Sequence, residues 1–537
     1  GGGNAFIFHL NNILLHIANS ILVYILIRKI SPKNAVVALI TAAFFAVHPM
    51  HVESVAWVSE RKDVLYSFFF LLSLIIYCNY LKLQKTKLLI FSAMFFVLSC
   101  LSKSAAVVLP LVMLLLDYYN NRKFSKKSII EKIPFFVISL IFGFIALHSQ
   151  EGAVENMAPG MSFVQHISIV FYSFMIYIFK AFIPVHLSAI YPYPIELENA
   201  GTLPKIYYLS ILCVGLLLYF VWYSRKWGKN IIFGFLFFVI TIILVLQFVL
   251  VGAMSMADRY TYIPYIGIFF IIGKLFEKLS EKGKLNYKKY FITILAFVFM
   301  AFSAITYGRV KIWENDDTLF SDVIKKYPDG GSTQYLNRGA FYMYYYAAKV
   351  YKDDSVKREI YKKKAISDFQ NSLKFKITVN DMVLVYSIIG KDKGDKGDFA
   401  GAINYLNEAI KFDNNYLTAY NDRACAKCML KDYEGALKDY NKVIELNQKD
   451  ALAYFNRGTT KDQLHDYTGA INDFDNAIKI DKKYVNAYFN RGTAKFKLKD
   501  YDGAYEDYNK VIALNPKDSD AIRNRDIVKP LLKNVKK

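Results

Sequence analysis

The sequence predicts an all-α protein in two unlike halves, a polytopic transmembrane helix bundle followed by an α-solenoid. Three observations carry this reading. Apolar runs of about 16 to 23 residues, the length that crosses a bilayer, recur between residues 5 and 308. The loops joining them alternate between Lys/Arg-rich and mixed-charge compositions. From about residue 313 the chain becomes periodic, with a spacing of 34 residues.

The apolar runs lie near 5–27, 33–48, 64–81, 87–102, 104–119, 132–148, 205–224, 230–252, 264–280 and 289–308, which makes ten spans. A hydrophobic content of 54% over 537 residues, unevenly spread, argues for a split into a membrane-like half and a soluble-like half. The net charge of +22 would suggest nucleic acid in a soluble chain. In a membrane chain basic residues record which loops stay in the cytoplasm, so no nucleic-acid partner is expected. The loops RKISPK, KLQKTK, NNRKFSKKSIIEK, SRKWGK and the segment from Lys274 to Lys289 hold twenty Lys and Arg, against five in the alternate loops. They are read as cytoplasmic.

One apolar segment, 163–184, breaks the alternation and is expected to lie in the outer interface. His166, Ser173, Tyr177 and Lys180 share one helical stripe, as an interfacial helix requires; a tilted span with a polar packing face is the alternative. Ten crossings place both ends of the membrane domain, 1–308, on the extracytoplasmic side. A further span is therefore expected before Gly1. Lys-, Asn- and Ile-rich usage and the absence of an N-x-S/T sequon point to a bacterial inner membrane with a periplasmic repeat domain.

The outer loops gather the chemistry. HPMHVESVAWVSERKDV, residues 48–64, concentrates His48, His51, Glu53, Glu60, Arg61, Lys62 and Asp63. SKS around Lys103, HSQEGAVENMAPGM, AIYPYP with Tyr191 and Tyr193, and ADRYTYIP with Asp258, Arg259 and Tyr260 accompany it. Arg61, Lys62, Lys103 and Arg259 suit a lipid phosphate, Arg through its fork geometry. The carboxylates, histidines and tyrosines suit orienting or cavity-lining roles. Alternatively these charges pair with one another at an interface. His48, His51 and Glu53 lack a fixed third ligand, so no metal is expected. In the first span His9, Asn12, His16 and Asn19 stack on one face, which must point into the bundle.

YNDRACAK, YFNRGTTK and YFNRGTAK begin at Tyr420, Tyr454 and Tyr488, the tetratricopeptide period. Ala402, Ala436, Ala470 and Ala504 let paired helices approach, and Leu406, Tyr440, Phe474 and Tyr508 fill the space between them. Five repeats are read over 332–518, the first expanded, with a lead-in helix over 309–331 and a capping helix and tail over 519–537. Asn337, Asp422, Asn456 and Asn490 recur at one position, followed by Arg338, Arg423, Arg457 and Arg491. A row of amides can hold an extended polypeptide, with Arg457 and Arg491 beside it; packing and solubility roles are the alternative. Cys425 and Cys428 form a C-x-x-C without the context of a zinc or redox site.

HPMHVESVAWVSERKD, SKSAAVVLPLVMLLLDYY, IYPYP, ADRYTYIP and WENDDTLF, in this order and followed by 34-residue repeats, resemble the transmembrane and tetratricopeptide repeat-containing proteins. The resemblance implies a GT-C-like bundle similar to protein O-mannosyltransferases, which have eleven spans. It implies a polyprenyl-phosphate sugar as donor, Ser or Thr hydroxyls as acceptors, and no cofactor. By that resemblance Arg61, Lys62, Lys103 and Arg259 contact the lipid phosphate, and Asp63 and Asp258 orient them. The general base is expected in a loop upstream of Gly1. A membrane-anchored scaffold without catalysis is the alternative function.

Overall fold

The computed structural model describes residues 5–123, 125–149, 161–194, 201–248, 254–281, 285–375 and 377–533. Residues 150–160, most of the segment HSQEGAVENMAPGM expected to be an outer loop, lie outside the described residues. The chain divides into two compact units, Gly1–Gln334 and Tyr335–Lys537.

In the first unit the elements are α1 (Ala5–Ile30), α2 (Ala35–Val47), α3 (Val52–Ala56), α4 (Arg61–Leu83), α5 (Thr86–Ser102), α6 (Leu109–Tyr119), α7 (Lys126–Ile130) and α8 (Ile133–Ser149). There follow α9 (Phe163–Lys180), α10 (Lys205–Ser224), α11 (Lys229–Ile242), α12 (Tyr265–Glu281), α13 (Leu285–Ile312) and α14 (Asp316–Lys326). A two-stranded antiparallel ladder joins Tyr191–Pro192 to Met254–Met256. Among the described residues six helices are long and apolar enough to cross a membrane: Phe6–Ile30, Val58–Leu83, Lys126–Ser149, Phe163–Lys180, Lys205–Ser224 and Lys289–Ile312. Ala35–Val47 with Pro49–Ala56, bent by 53°, makes a seventh candidate. Thr86–Ser102, Ser104–Tyr119 and Lys229–Val245 are shorter apolar helices. Phe144 (74% exposed) and Phe297 (68%) present their rings outward, a surface that water disfavours and lipid accepts. The chain is an integral membrane protein.

α1 packs on α2 and α4, α4 on α5, and α12 on both α2 and α11. Where α11 meets α12 the backbones touch: a Cβ on Gly267 would lie 2.2 Å from the Gly234 carbonyl oxygen. Small residues at such a crossing replace the hydrophobic drive that lipid removes. The polar stripe of α1 faces inward. Asn12 Nδ2 donates to the Val55 carbonyl (3.2 Å), Asn19 Nδ2 to that of Val64 (2.8 Å), and His16 Nδ1 lies 2.7 Å from the Tyr262 hydroxyl.

The polar stripe of α9 meets protein as well. His166 Nε2 lies 2.7 Å from the Gln247 carbonyl, and the Tyr177 hydroxyl accepts from the Ala257 amide at 2.9 Å. α9 thereby carries the segment that leads into ADRY.

The second unit is a helical solenoid of paired helices, α15 (Thr333–Ala340, continuing as a π-helix to Val350) with α16 (Ser355–Ser372), and α17 (Val379–Asp395) with α18 (Phe399–Phe412). The regular pairs are α19 (Leu417–Met429) with α20 (Tyr433–Leu446), α21 (Ala451–Gln463) with α22 (Tyr467–Ile480), and α23 (Val485–Lys497) with α24 (Tyr501–Leu514), followed by α25 (Ser519–Val528). Each second helix from α18 onward starts on an Asp cap. Asp398, Asp432, Asp466 and Asp500 accept from the amides of Gly401, Gly435, Gly469 and Gly503 at 2.9–3.0 Å. A Cβ on those glycines would meet the capping carboxylate at 2.1–2.3 Å, which explains D-x-x-G in the last four repeats; the first has Lys357 in place of the glycine. Ala402, Ala436, Ala470 and Ala504 are buried together with Leu406, Tyr440, Phe474 and Tyr508.

Candidate functional site

Residues 48–63 fold into three short helical turns between α2 and α4. His48 caps the first: its Nδ1 accepts from the Met50 amide (3.3 Å) and its Nε2 lies 3.3 Å from the Ala181 carbonyl. His51 Nδ1 lies 2.8 Å from the Phe45 carbonyl, and its ring packs 4.9 Å from that of Tyr262. Both rings are buried and shape the loop. Among the described residues no group of three His, Cys, Asp or Glu side chains gathers as a metal site would require.

The acidic residues of this loop meet cations from other loops. Glu53 accepts from the Arg259 guanidinium and, through its other oxygen, from the Arg259 backbone amide at 3.0 Å. One carboxylate thus holds both the main chain and the side chain of ADRY. The guanidinium carbon lies 5.4 Å from the Trp57 ring centre and 5.0 Å from that of Tyr260, within cation–π range. Burial works against its charge, but Glu53, Tyr260 and Glu60 hold the Arg259 pKa above its ordinary value. Glu60 lies 3.6 Å from Arg259 Nε and 3.3 Å from Lys62 Nζ. Asp63 pairs with Lys103, whose ammonium sits 5.7 Å from the Tyr66 ring and 5.8 Å from that of Tyr260. Arg61 Nε lies 3.4 Å from Asn12 Oδ1. Buried polar atoms without a hydrogen-bond partner remain on three of these residues, Glu60 Oε2, Arg61 Nη2 and Asp63 Oδ2.

Asp258, one residue away, belongs to a second cluster. Lys180 Nζ donates to the Tyr191 hydroxyl (2.6 Å), which donates to Asp258 (2.5 Å). Arg309, in the last turn of α13, lies 3.9 Å from Asp258 and 3.1 Å from Asp322 of α14; Lys326 also donates to Asp322, at 2.6 Å. Burial raises the Asp258 pKa, opposed by Lys180 and Arg309. Burial also raises that of Tyr191 well above its ordinary value, aided by Asp258. The Tyr193 hydroxyl is buried without a hydrogen-bond partner.

Sequence reasoning therefore named residues of both clusters as one group. It placed Lys180 only on the polar stripe of 163–184, as an interfacial helix or a polar packing face, and passed over Arg309, Asp322 and Lys326, although a lone Arg closing an apolar helix is a signal. It also passed over a third cluster. Asp117 accepts from the Tyr77 hydroxyl (2.6 Å) and from Lys132 (2.5 Å), while Glu131 accepts from Tyr80 (2.5 Å) and Arg122 (2.6 Å). Asp63 and Tyr80 stand on one continuous helix, α4, about 25 Å apart along its axis. The third cluster lies at the end of α4 where the Lys-rich connectors attach.

In the solenoid Asn337 is exposed and Asp422, Asn456 and Asn490 are half-buried. The arginines beside them are engaged within the stack. Arg457 donates through Nε and Nη2 to Asp473 (2.9 and 2.6 Å) and through Nη1 to Asn441 of the preceding repeat (2.7 Å). Arg423 treats Asp439 and Asn407 in the same way, and Arg491 bonds Asp507 and Asp475. Lys427, Lys461 and Lys495 add a second cation to each inner Asp at 2.8–2.9 Å. Arg457 and Arg491, grouped from the sequence with peptide-facing residues, thus have their guanidinium donors directed at the stack itself.

Comparison with known proteins agrees with the repeats. The tetratricopeptide repeat family matches residues 485–518, and a further TPR repeat family matches 426–461 and 463–499. A human protein described as protein O-mannosyl-transferase TMTC1 is 42% identical over 76 residues, 14% of this chain and 9% of that protein. Its mouse counterpart is 41% identical over 76 residues, 14% and 8% of the two chains. The chain spans less than a tenth of the length of these curated relatives, and the similarity lies in the repeats. Among solved structures, MamA is 25% identical at a TM-score of 0.27, covering 28% of this chain and 81% of that one. YrrB, described as a TPR protein with an unusual peptide-binding site, is 17% identical at 0.32, covering 38% and 97%. The apolar helices and the repeat-family matches define a membrane protein with tetratricopeptide repeats.

Proposed function

We propose that the chain is a membrane glycosyltransferase that moves a sugar from a polyprenyl-phosphate donor to protein Ser or Thr hydroxyls on the extracytoplasmic side. The repeats bind the acceptor protein. The observation that carries this reading is the cluster at the start of α4. Loops distant in sequence bring four cations and three carboxylates together there, and Arg61, Glu60 and Asp63 each keep one buried polar atom without a partner. A purely structural ion network closes on itself, because an unpaired buried donor or acceptor costs about 1–3 kcal/mol. Of these three atoms Arg61 Nη2 is the donor available to a phosphate, whereas Glu60 Oε2 and Asp63 Oδ2 can only accept, from a hydroxyl or a cation. The partial likeness to O-mannosyl-transferases lies in the repeats and supports the acceptor-binding part of this reading.

In this reading the departing lipid phosphate draws on Arg61 and Lys62, the cations with donors to spare, while Lys103 and Arg259 are fixed by Asp63 and Glu53 and supply field rather than new hydrogen bonds. His48, His51, Tyr191, Tyr193 and Tyr260 shape the walls. Asp258 positions the ADRY loop through Tyr191. The acceptor segment lies along Asn337, Asp422, Asn456 and Asn490. The test is transfer of radiolabelled sugar from polyprenyl-phosphate mannose to a Ser/Thr-rich peptide by the full-length protein in proteoliposomes. Arg259→Ala is expected to lower transfer at least tenfold. Transfer equal to the parent would remove Arg259 from the site, and no transfer by the parent with any sugar donor would favour a scaffold.

A further inference from the structure

The first repeat differs from its neighbours in length, helix type and surface. α15 continues as a ten-residue π-helix, Phe341–Val350, and α16 has 18 residues, against 13 and 14 in the pair α21 and α22. The hairpin therefore extends roughly a turn further than a regular repeat, and π-helical turns inside helices concentrate at functional sites. The added tip does not carry the surface of an ordinary solvated turn. Tyr344, Val350, Val356 and Ile360 are exposed, Val356 at 69%. Residues 349–364 hold seven Lys and Arg against three carboxylates.

These features converge on a groove of about 350 Å³ lined by Met343, Tyr344, Ala347 and Ala348 together with Lys352, Arg358 and Lys362. The Arg358 guanidinium donates to the Lys352 carbonyl at 2.8 Å. Ion pairs in this stretch join Lys352 to Asp353 (4.0 Å) and Lys357 to Asp354 (3.6 Å). Among the described residues Arg358, Lys362 and Lys363 thus face no carboxylate. Apolar side chains, tyrosines and unpaired cations on one helical tip are the composition that lies at a lipid headgroup layer, where rings sit at the interface and basic groups meet phosphates. In sequence the tip follows closely on α13, the last apolar helix.

We propose that the tip of the first repeat is a docking surface for an anionic phospholipid bilayer, with headgroup phosphates on Lys352, Arg358 and Lys362 and with Tyr344, Val356 and Ile360 entering the interface. This stands independently of sugar transfer. Hydrogen–deuterium exchange of the full chain tests it, in nanodiscs of phosphatidylcholine and in discs where about a third of the lipid is phosphatidylglycerol. Peptides covering 341–364 are expected to exchange several-fold more slowly in the anionic discs, with the difference abolished by high salt or by Arg358→Glu with Lys362→Glu. Unchanged exchange of 433–446 reports an intact solenoid in the variant. Equal exchange of 341–364 in both lipids would overturn the proposal. So would protection that survives salt and charge reversal, or that appears only when an acidic peptide is added.

Discussion

The two ends of α4 carry clusters built from the same materials and finished differently. At its C-terminal end Asp117, Lys132, Glu131, Arg122, Tyr77 and Tyr80 close on one another, and none of their buried polar atoms lacks a partner among the described residues. At its N-terminal end Glu60, Arg61 and Asp63 keep unpartnered atoms although Arg259 and Lys103 lie beside them. Buried ionic groups are costly wherever they occur. A closed network meets that cost by mutual pairing, whereas an open one holds binding capacity in reserve. The same materials thus serve both ends of α4, and burial and charge alone do not mark a site.

The sharpest way to break this comparison is Lys132→Ala. Lys132 is almost wholly buried with Asp117 as its partner, and its removal is expected to cost about 3–5 kcal/mol, read as a large fall in Tm of the full chain in detergent. A fall no greater than that of Arg61→Ala would erase the distinction. Next in size is Asp473→Ala in the solenoid, where Arg457 and Lys461 both lose a buried counter-charge. About 3 kcal/mol is expected from the same principle, confined to unfolding of the repeats in a tryptic or exchange readout. Arg61→Ala is expected to change stability by less than about 1 kcal/mol, yet to lower sugar transfer at least tenfold. The opposite pattern, a destabilised protein with parental transfer per folded molecule, would recast the open cluster as structural. Smallest in stability is Asn456→Ala with Asn490→Ala, within about 0.5 kcal/mol, and it sharpens the peptide reading only if acceptor affinity falls while Tm holds.

Several features were legible because they are local. The 34-residue period, the buried Ala and aromatic pair in each repeat and the Asp cap with its Gly require only helix geometry, and the structure places them as the spacing demands. The inward face of Asn12, His16 and Asn19 followed from a stripe on one helix. The arginines were less legible. Arg423, Arg457 and Arg491 stand beside the polar row in the sequence, and only the superposed helices reveal Asp439, Asp473 and Asp507 sixteen residues on, with Asn407, Asn441 and Asp475 sixteen residues before.

By itself the sequence determined the class of the protein: apolar lengths require a membrane and the period builds a solenoid, since each rests on patterns no longer than one helix pair. The tertiary structure decided which charges neutralise each other and which keep free valence. It separated Asp258 from its neighbour Arg259, sending one to Tyr191 and the other to Glu53, and it joined Arg309 to Asp322 across a helix break. Pairing of buried charges depends on distances between segments far apart along the chain, and no linear pattern specifies those distances.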